Sequence, residues 1–256
     1  KGIENFKRWL SQPEPIHRLP PLNGRSGWRP CFIVNPPKEK TQGYLGVDIG
    51  SISTNLVIIN KKGNVLARKY LWTKGRPIEM VIKGLSELNT EIGDRIEVIG
   101  VGTTGSGRYL IGELIGADVI KNEISAQARA AIELVPDVDT VFEIGGQDSK
   151  YICIENKTIV DFEMNKVCAA GTGSFLEEQT QILGVKLEEF GDRALEAKSP
   201  INLGERCTVF IGSEIIHYQN NLAERENLLA GLGYSTVFNY LNRVVGNKKI
   251  GEHIVF

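Results

Sequence analysis

The stretch "DIGSISTN", residues 48–55, returns in altered form as "EIGGQDSK", residues 143–150. Each copy closes an apolar run and then makes an acidic turn through small residues. In the first, Asp48 precedes Gly50, Ser51, Ser53 and Thr54; in the second, Gly145 and Gly146 precede Gln147, Asp148 and Ser149. Small residues let backbone N–H groups approach an anion, and the hydroxyls add donors. A carboxylate at the strand end suits a hard cation such as Mg²⁺, held directly or through water. One such loop alone reads more simply as a tight hairpin turn with a solvated acid. Two of them, each closing the first strand of a matching half, point to a shared phosphate site. Neither is the GxxxxGK[ST] loop or the GxGxxG turn that opens a helix.

The surroundings repeat as well. "YLGVDIG" reads as a strand, and "TNLVIINKKGNVLARKYLWT" as two strands joined at Lys62-Gly63-Asn64. Ile78, Val81, Ile82, Leu85 and Leu88 predict a helix over 77–90. "RIEVIGVGTTG" is a strand running into a glycine turn, "RYLIGELIG" a short helix, and 123–134 an alanine-rich helix. "TVFEIGGQDSKYICIENKTIVDFEM" then restarts the strand, acidic turn and hairpin. Helices are expected over 174–183, 187–196, 212–229 and 234–246. The repeat is one of architecture rather than of letters. It divides the chain into a first lobe over 42–135 and a second over 136–256.

Residues 1–41 differ. Seven of the ten prolines lie there, with two of the three tryptophans. Proline at that density excludes a regular helix or central strand, so this part reads as an arm or linker. Trp9, Trp28 and Phe32 imply that it packs on something, and an upstream domain is expected before it.

Composition narrows the function. The 256 residues are 41% hydrophobic and 24% charged, and 30 basic against 31 acidic residues leave a formal charge of −1. No such field attracts nucleic acid or an anionic membrane. No apolar run approaches the roughly 20 residues of a membrane span. Four cysteines are too few for a disulfide scaffold, so a cytoplasmic protein with reduced thiols is expected. Cys153 alternates within the strand "KYICIE" and reads as a small buried residue, as does Cys31 in the arm. Cys168 and Cys207 are 39 residues apart, and each leads into a stretch that reads as helix-opening. Helix N-termini favour thiolates and anionic ligands. Space-filler, reactive thiol and metal ligand all remain open for this pair. Glu123 in "EISAQARAA" and Asn165 beside the cysteine loop are weaker site candidates, equally well explained as a helix cap or a solvated face.

On "GVDIGSISTN", "GVGTTGSGR", "EISAQARAA", "EIGGQDSKYI", "NKVCAAGTGSF" and "CTVFIGSEII", the sequence resembles the acetate and sugar kinase/Hsp70/actin superfamily. Within it, the chain is similar to the BadF/BadG/BcrA/BcrD group, the ATP-dependent activators of 2-hydroxyacyl-CoA dehydratases and benzoyl-CoA reductases. The motifs span residues 45–216. The resemblance implies an α/β, duplicated ribonuclease H-like (actin-like ATPase) fold, two lobes around a nucleotide cleft. It implies one [4Fe–4S] cluster per homodimer, held by Cys168 and Cys207 of each subunit, since such a cluster takes four thiolates and a two-fold axis duplicates each pair. The implied activity is ATP-driven transfer of one low-potential electron. Ferredoxin or flavodoxin loads the cluster, and an iron–sulfur dehydratase or reductase receives the electron. Asp48 and Asp148 would position Mg²⁺, and Gln147 or Asp148 would orient the attacking water. Ser51, Ser53, Thr54, Gly145 and Gly146 would hold the phosphates of ATP or ADP. The "GTG" after Cys168 serves either the cluster helix or the nucleotide.

Two departures set further expectations. In this family a glycine-rich turn late in the second half holds the adenosine, and "HIVF" reads as the strand leading into that turn. The C-terminal part of the nucleotide site is therefore expected to be missing and ATP binding impaired. The proline-rich arm fits a longer, multi-domain relative. Two other classes share the fold: a small-molecule kinase acting for instance on an amino sugar, and a nucleotide-sensing regulatory module.

Overall fold

The computed structural model describes residues 3–4, 17–24, 34–166 and 169–256. Trp9, Trp28, Cys31, Phe32 and Cys168 lie outside the described residues. The chain forms two compact units: one takes the described residues of 27–164 and 247–256, the other those of 1–26 and 165–246.

Two sheets build the first unit. Alternating apolar residues give β1 (Thr41–Ile49), β2 (Ser53–Ile59) and β3 (Val65–Trp72), which pair antiparallel in turn. Leu45, Val47 and Ile49 face inward with Leu56 and Ile58. Helix α1 (Pro77–Ile92) covers that face with Val81, Leu88 and Ile92. Pro77 presets the helical φ at the first turn, and Gly93 ends the helix at φ 52°. β4 (Ile96–Thr104) adds parallel to β1; α2 (Arg108–Ile115) and the two-residue β5 (Val119–Ile120) follow. The order is β3-β2-β1-β4-β5.

Helix α3 (Glu123–Leu134), capped by Asn122 accepting from Ser125 N at 2.8 Å, leads into the second sheet. There β6 (Thr140–Ile144), β7 (Ser149–Glu155) and β8 (Thr158–Met164) repeat the antiparallel hairpins, and β9 (Ile254–Val255) adds parallel to β6. The order β8-β7-β6-β9 copies the first sheet strand for strand, as far as its fourth member. Ala128, Ala131 and Ile132 of α3 pack on Val141, Ile152 and Ile154. This duplicated order is the ribonuclease H-like fold expected from the sequence. Cys153 on β7 is buried, as its alternation predicted.

The second unit is helical among its described residues: α4 (Gly173–Ile182), α5 (Phe190–Leu195), α6 (Thr208–Asn220) and α7 (Arg225–Tyr240), the last continuing as a π turn over Leu241–Val245. Its core includes Phe175, Ile211, Ile215, Leu228, Leu229 and Leu232. Part of the arm belongs to it: Leu19 N donates to Pro200 O at 2.8 Å, Tyr234 Oη donates to Pro20 O at 2.9 Å, and Leu22 packs on the core.

The expected helix pair 212–229 and 234–246 is corrected to 208–220 and 225–240. The break falls at 221–224, where Leu222 takes φ 60°. Gly231 and Gly233, which look like a break in sequence, sit inside α7. A Cβ on Gly231 would overlap the carbonyl of Ile201, so this glycine serves close packing. The helix expected over 187–196 is a 3₁₀ turn, Leu187–Glu189, running into α5. No helix among the described residues is long and apolar enough to cross a membrane.

Candidate nucleotide-phosphate site

The two small-residue loops adopt the same turn. Gly50 N donates to Ser53 O, and Gly145 N donates to Asp148 O, both at 2.8 Å. Below each turn the register repeats: Asp48 pairs with Asn55 and Ile49 with Thr54, while Glu143 pairs with Lys150 and Ile144 with Ser149. The structural counterpart of Asp48 is therefore Glu143, and that of Asp148 is Ser53.

Both loops line one cavity of about 160 Å³ within the first unit. Of the residues singled out from sequence, Asp48, Gly50, Ser51, Ser53, Gly145, Gly146, Gln147, Asp148 and the weaker candidate Glu123 reach its wall. Thr54 and Ser149 are fully buried and do not. The Thr54 hydroxyl lies 3.0 Å from that of Thr73, whose Oγ1 donates to Gly50 O at 2.8 Å. Thr54 thus braces the first loop from beneath. Asn165 and Cys207 belong to the other unit.

Several wall residues escaped the sequence reading. Glu143 and Lys150 are the main ones. Lys150, almost wholly buried, lies 2.9 Å from Glu143 and 3.4 Å from Glu123. Aligning the two loops on their shared Ile-Gly would have matched Glu143 to Asp48; Lys150 gave no such signal. Thr104 and Gln127 also line the cavity, and Thr104 Oγ1 and Gln127 Oε1 are buried without a hydrogen-bond partner among the described residues. Such buried polar atoms are normally satisfied, so these two are polar capacity left over on the wall.

Four carboxylates (Asp48, Glu123, Glu143 and Asp148) and the Lys150 ammonium line this wall, and the ammonium pairs with Glu143 and Glu123. Burial holds the Asp48 carboxyl above its ordinary value, against the Asn55 hydrogen bond at 3.4 Å, and the charge of Glu123 adds to the rise. Burial raises Glu143 likewise, against the hydrogen bond from Lys150. For Lys150, burial pulls downward, yet the hydrogen bond and charge of Glu143, with Glu123, carry it above the ordinary lysine value. The ammonium is locked on while two acids resist ionising. The cavity is short of positive charge, a condition a hard cation would relieve. Among the described residues no three His, Cys, Asp or Glu side chains are set as a ready metal cage.

In the second unit, Cys207 is half-buried and is the N-cap of α6. Cys168 cannot be placed beside it, being outside the described residues.

The sequence model of the BadF/BadG/BcrA/BcrD ATPase family matches residues 45–254. The (R)-2-hydroxyglutaryl-CoA dehydratase activating ATPase of Acidaminococcus fermentans is 32% identical over 203 residues, 79% of this chain and 75% of that protein. The crystal structure of the A. fermentans (R)-2-hydroxyglutaryl-CoA dehydratase component A is similar at TM-score 0.77 and 28% identity, over 84% of this chain and 82% of that one. The activator of the 2-hydroxyisocaproyl-CoA dehydratase from Clostridium difficile, solved with bound ADPNP, gives TM-score 0.74 and 28% identity over 83% and 78%.

Proposed function

The chain belongs to the BadF/BadG/BcrA/BcrD ATPase family, and from that premise we propose that it binds MgATP at the paired loops and couples hydrolysis to one-electron reduction of a partner iron–sulfur enzyme. The partner is of the 2-hydroxyacyl-CoA dehydratase or reductase kind, because relatives in the family are named activators of such enzymes. The observation that carries the reading is the pair of turns closed by the same backbone hydrogen bond on one acid-lined cavity. Its volume is below the roughly 300–1,000 Å³ that encloses a whole ligand, and it suits the polyphosphate end with its cation.

The donor set fits Mg²⁺, which is commonly held by one or two carboxylates together with phosphate oxygens and waters. Asp48 and Asp148 fill that role, and ionisation of Asp48 becomes favourable once a cation stands beside it. Gly50, Ser51, Ser53, Gly145 and Gly146 hold the phosphates. Thr54 and Ser149 act from beneath, as supports of the turns. Gln147 or Asp148 orients the attacking water. Lys150 keeps Glu143 and Glu123 in place against their mutual repulsion.

Cys168 and Cys207 of each of two subunits hold a [4Fe–4S] cluster. The half-buried Cys207 thiol at a helix N-terminus suits an anionic ligand. When bound, the cluster supplies a one-electron donor, loaded by ferredoxin or flavodoxin. Anaerobic purification of the chain tests the reading. It predicts a brown homodimer with about four irons, bleached by air and lost in Cys168→Ser. A colourless protein that phosphorylates a sugar would overturn it.

A further inference from the structure

The last turns of α7 reach both the loop ahead of Cys207 and the turn over residues 169–172. Ahead of α6, Ser235 Oγ donates to Gly204 O at 2.8 Å, Arg243 Nη2 donates to Glu205 O at 3.3 Å, and Asn242 Nδ2 donates to Glu205 Oε2. Cys207 follows two residues later, its carbonyl accepting from Phe210 N at 3.0 Å and Ile211 N at 3.1 Å. Where residues 204 and 205 are held therefore decides where the thiol starts.

Ahead of α4, the chain turns tightly: Thr172 N and Thr172 Oγ1 both donate to Ala169 O, at 3.0 and 2.6 Å. Gly171 has φ +89° and lies against α7, where a Cβ would come within 3.1 Å of Tyr240 N and 3.4 Å of Thr236 O. In the same stretch of α7, fully buried Asn239 donates to Ser235 O at 2.9 Å, and its Oδ1 has no partner among the described residues. Immediately beyond, the helix widens to π pitch, with Gly246 N donating to Leu241 O at 2.7 Å. Single π turns concentrate at functional places. Here the turn carries both Asn242 and Arg243, the residues that reach Glu205.

We propose that Ser235–Arg243 is a positioning clamp: it holds the Cys207 loop through Ser235, Asn242 and Arg243, and the 169–172 turn through the Gly171 contact, so that one helix end sets where the Cys207 thiol stands relative to that turn. The proposal deepens the cluster reading above and rests on it. Ser235 and Asn242 act through the loop, on Gly204 and Glu205, and are positioning residues.

The test follows alkylation of each cysteine by iodoacetamide, resolved by peptide mass spectrometry, on the full chain kept free of oxygen and not yet supplied with iron. Ser235→Ala and Asn242→Asp are expected to speed alkylation of Cys207 roughly tenfold, the scale set by losing one or two hydrogen bonds. Cys153 should react as in wild type. Exchanging donor and acceptor, Glu205→Gln with Asn242→Asp, should bring the Cys207 rate back toward wild type, which general loosening of the unit would not do. Wild-type rates at Cys207 in both single variants, or no recovery in the exchange, would overturn the clamp. If wild-type protein takes up no iron while the Cys207 rates respond as stated, the cluster reading falls and the clamp stands.

Discussion

Lys150 Nζ stands 2.9 Å from Glu143 across the same strand positions that set Asn55 3.4 Å from Asp48 in the other half. The duplication has thus kept the geometry and changed the charge: a neutral amide serves one acid and an ammonium the other. That asymmetry decides which substitutions the cavity tolerates.

Removing the ammonium should be the most damaging change to stability. Lys150→Met leaves Glu143 and Glu123 partly buried without their cation, and breaking such a pair destabilises by about 3 kcal/mol or more. Lys150→Met with Glu143→Gln removes one of the stranded charges and should recover a good part of the loss. Urea unfolding of the two variants checks this. Equal midpoints for the single and double variants would show that the pair carries no coupling.

Asp48 yields a pH prediction with a definite sign. Its folded carboxyl lies above the ordinary value because burial disfavours the charge. The folded state then binds that proton more tightly than the unfolded chain, and stability from this group falls as pH rises from about 4 through the folded value. Asp48→Asn cannot lose that proton. Relative to wild type it should gain stability as pH climbs through this window and then level off. Parallel thermal melts from pH 4 to 8 without nucleotide measure the difference. A flat difference would mean that the Asp48 charge is already compensated.

Catalysis should respond in the opposite direction. Asp48→Asn and Glu143→Gln relieve the crowded acids, yet each removes a carboxylate from the wall of the proposed hydrolytic site. We expect folded proteins whose ATPase kcat falls by about 10²-fold or more, the scale for losing a positioned polar group at a reacting centre. Thr54→Val should fall less, since that hydroxyl braces Gly50 through Thr73 and does not line the cavity. A steady-state phosphate-release assay with circular dichroism as the folding control distinguishes these cases.

The strands and their two loops were legible because alternation and small-residue turns are local signals. "DIGSISTN" and "EIGGQDSK" announce themselves within eight residues each. The Glu143–Lys150–Glu123 cluster was not legible in the same way. It depends on β6–β7 register and on α3 reaching the second sheet, neither of which a linear pattern encodes. β5, with two residues, is too short for any periodicity to show. The α6–α7 boundary was misplaced for a different reason: a glycine marks either a break or a close approach, and only the neighbour tells which.

That neighbour makes Gly231 the place to test the distinction. In an exposed helix interior, Gly→Ala gains up to about 1 kcal/mol from helix propensity. Gly231 is buried between Ala230 and Leu232 in the helical core, and a Cβ there would overlap the Ile201 carbonyl. Ile201 cannot easily retreat. Its N–H donates to Asn227 O at 3.1 Å, and it bridges Arg18 of the arm. Overpacking of this kind costs about 1–3 kcal/mol, which outweighs the propensity gain. Gly231→Ala should therefore lower the urea midpoint with no change in slope, and Gly233→Ala, whose nearest neighbour is the end of the Phe190 ring at 3.7 Å, should leave it level or raise it. If both alanines stabilise, the close approach at residue 201 is not what selects glycine at 231.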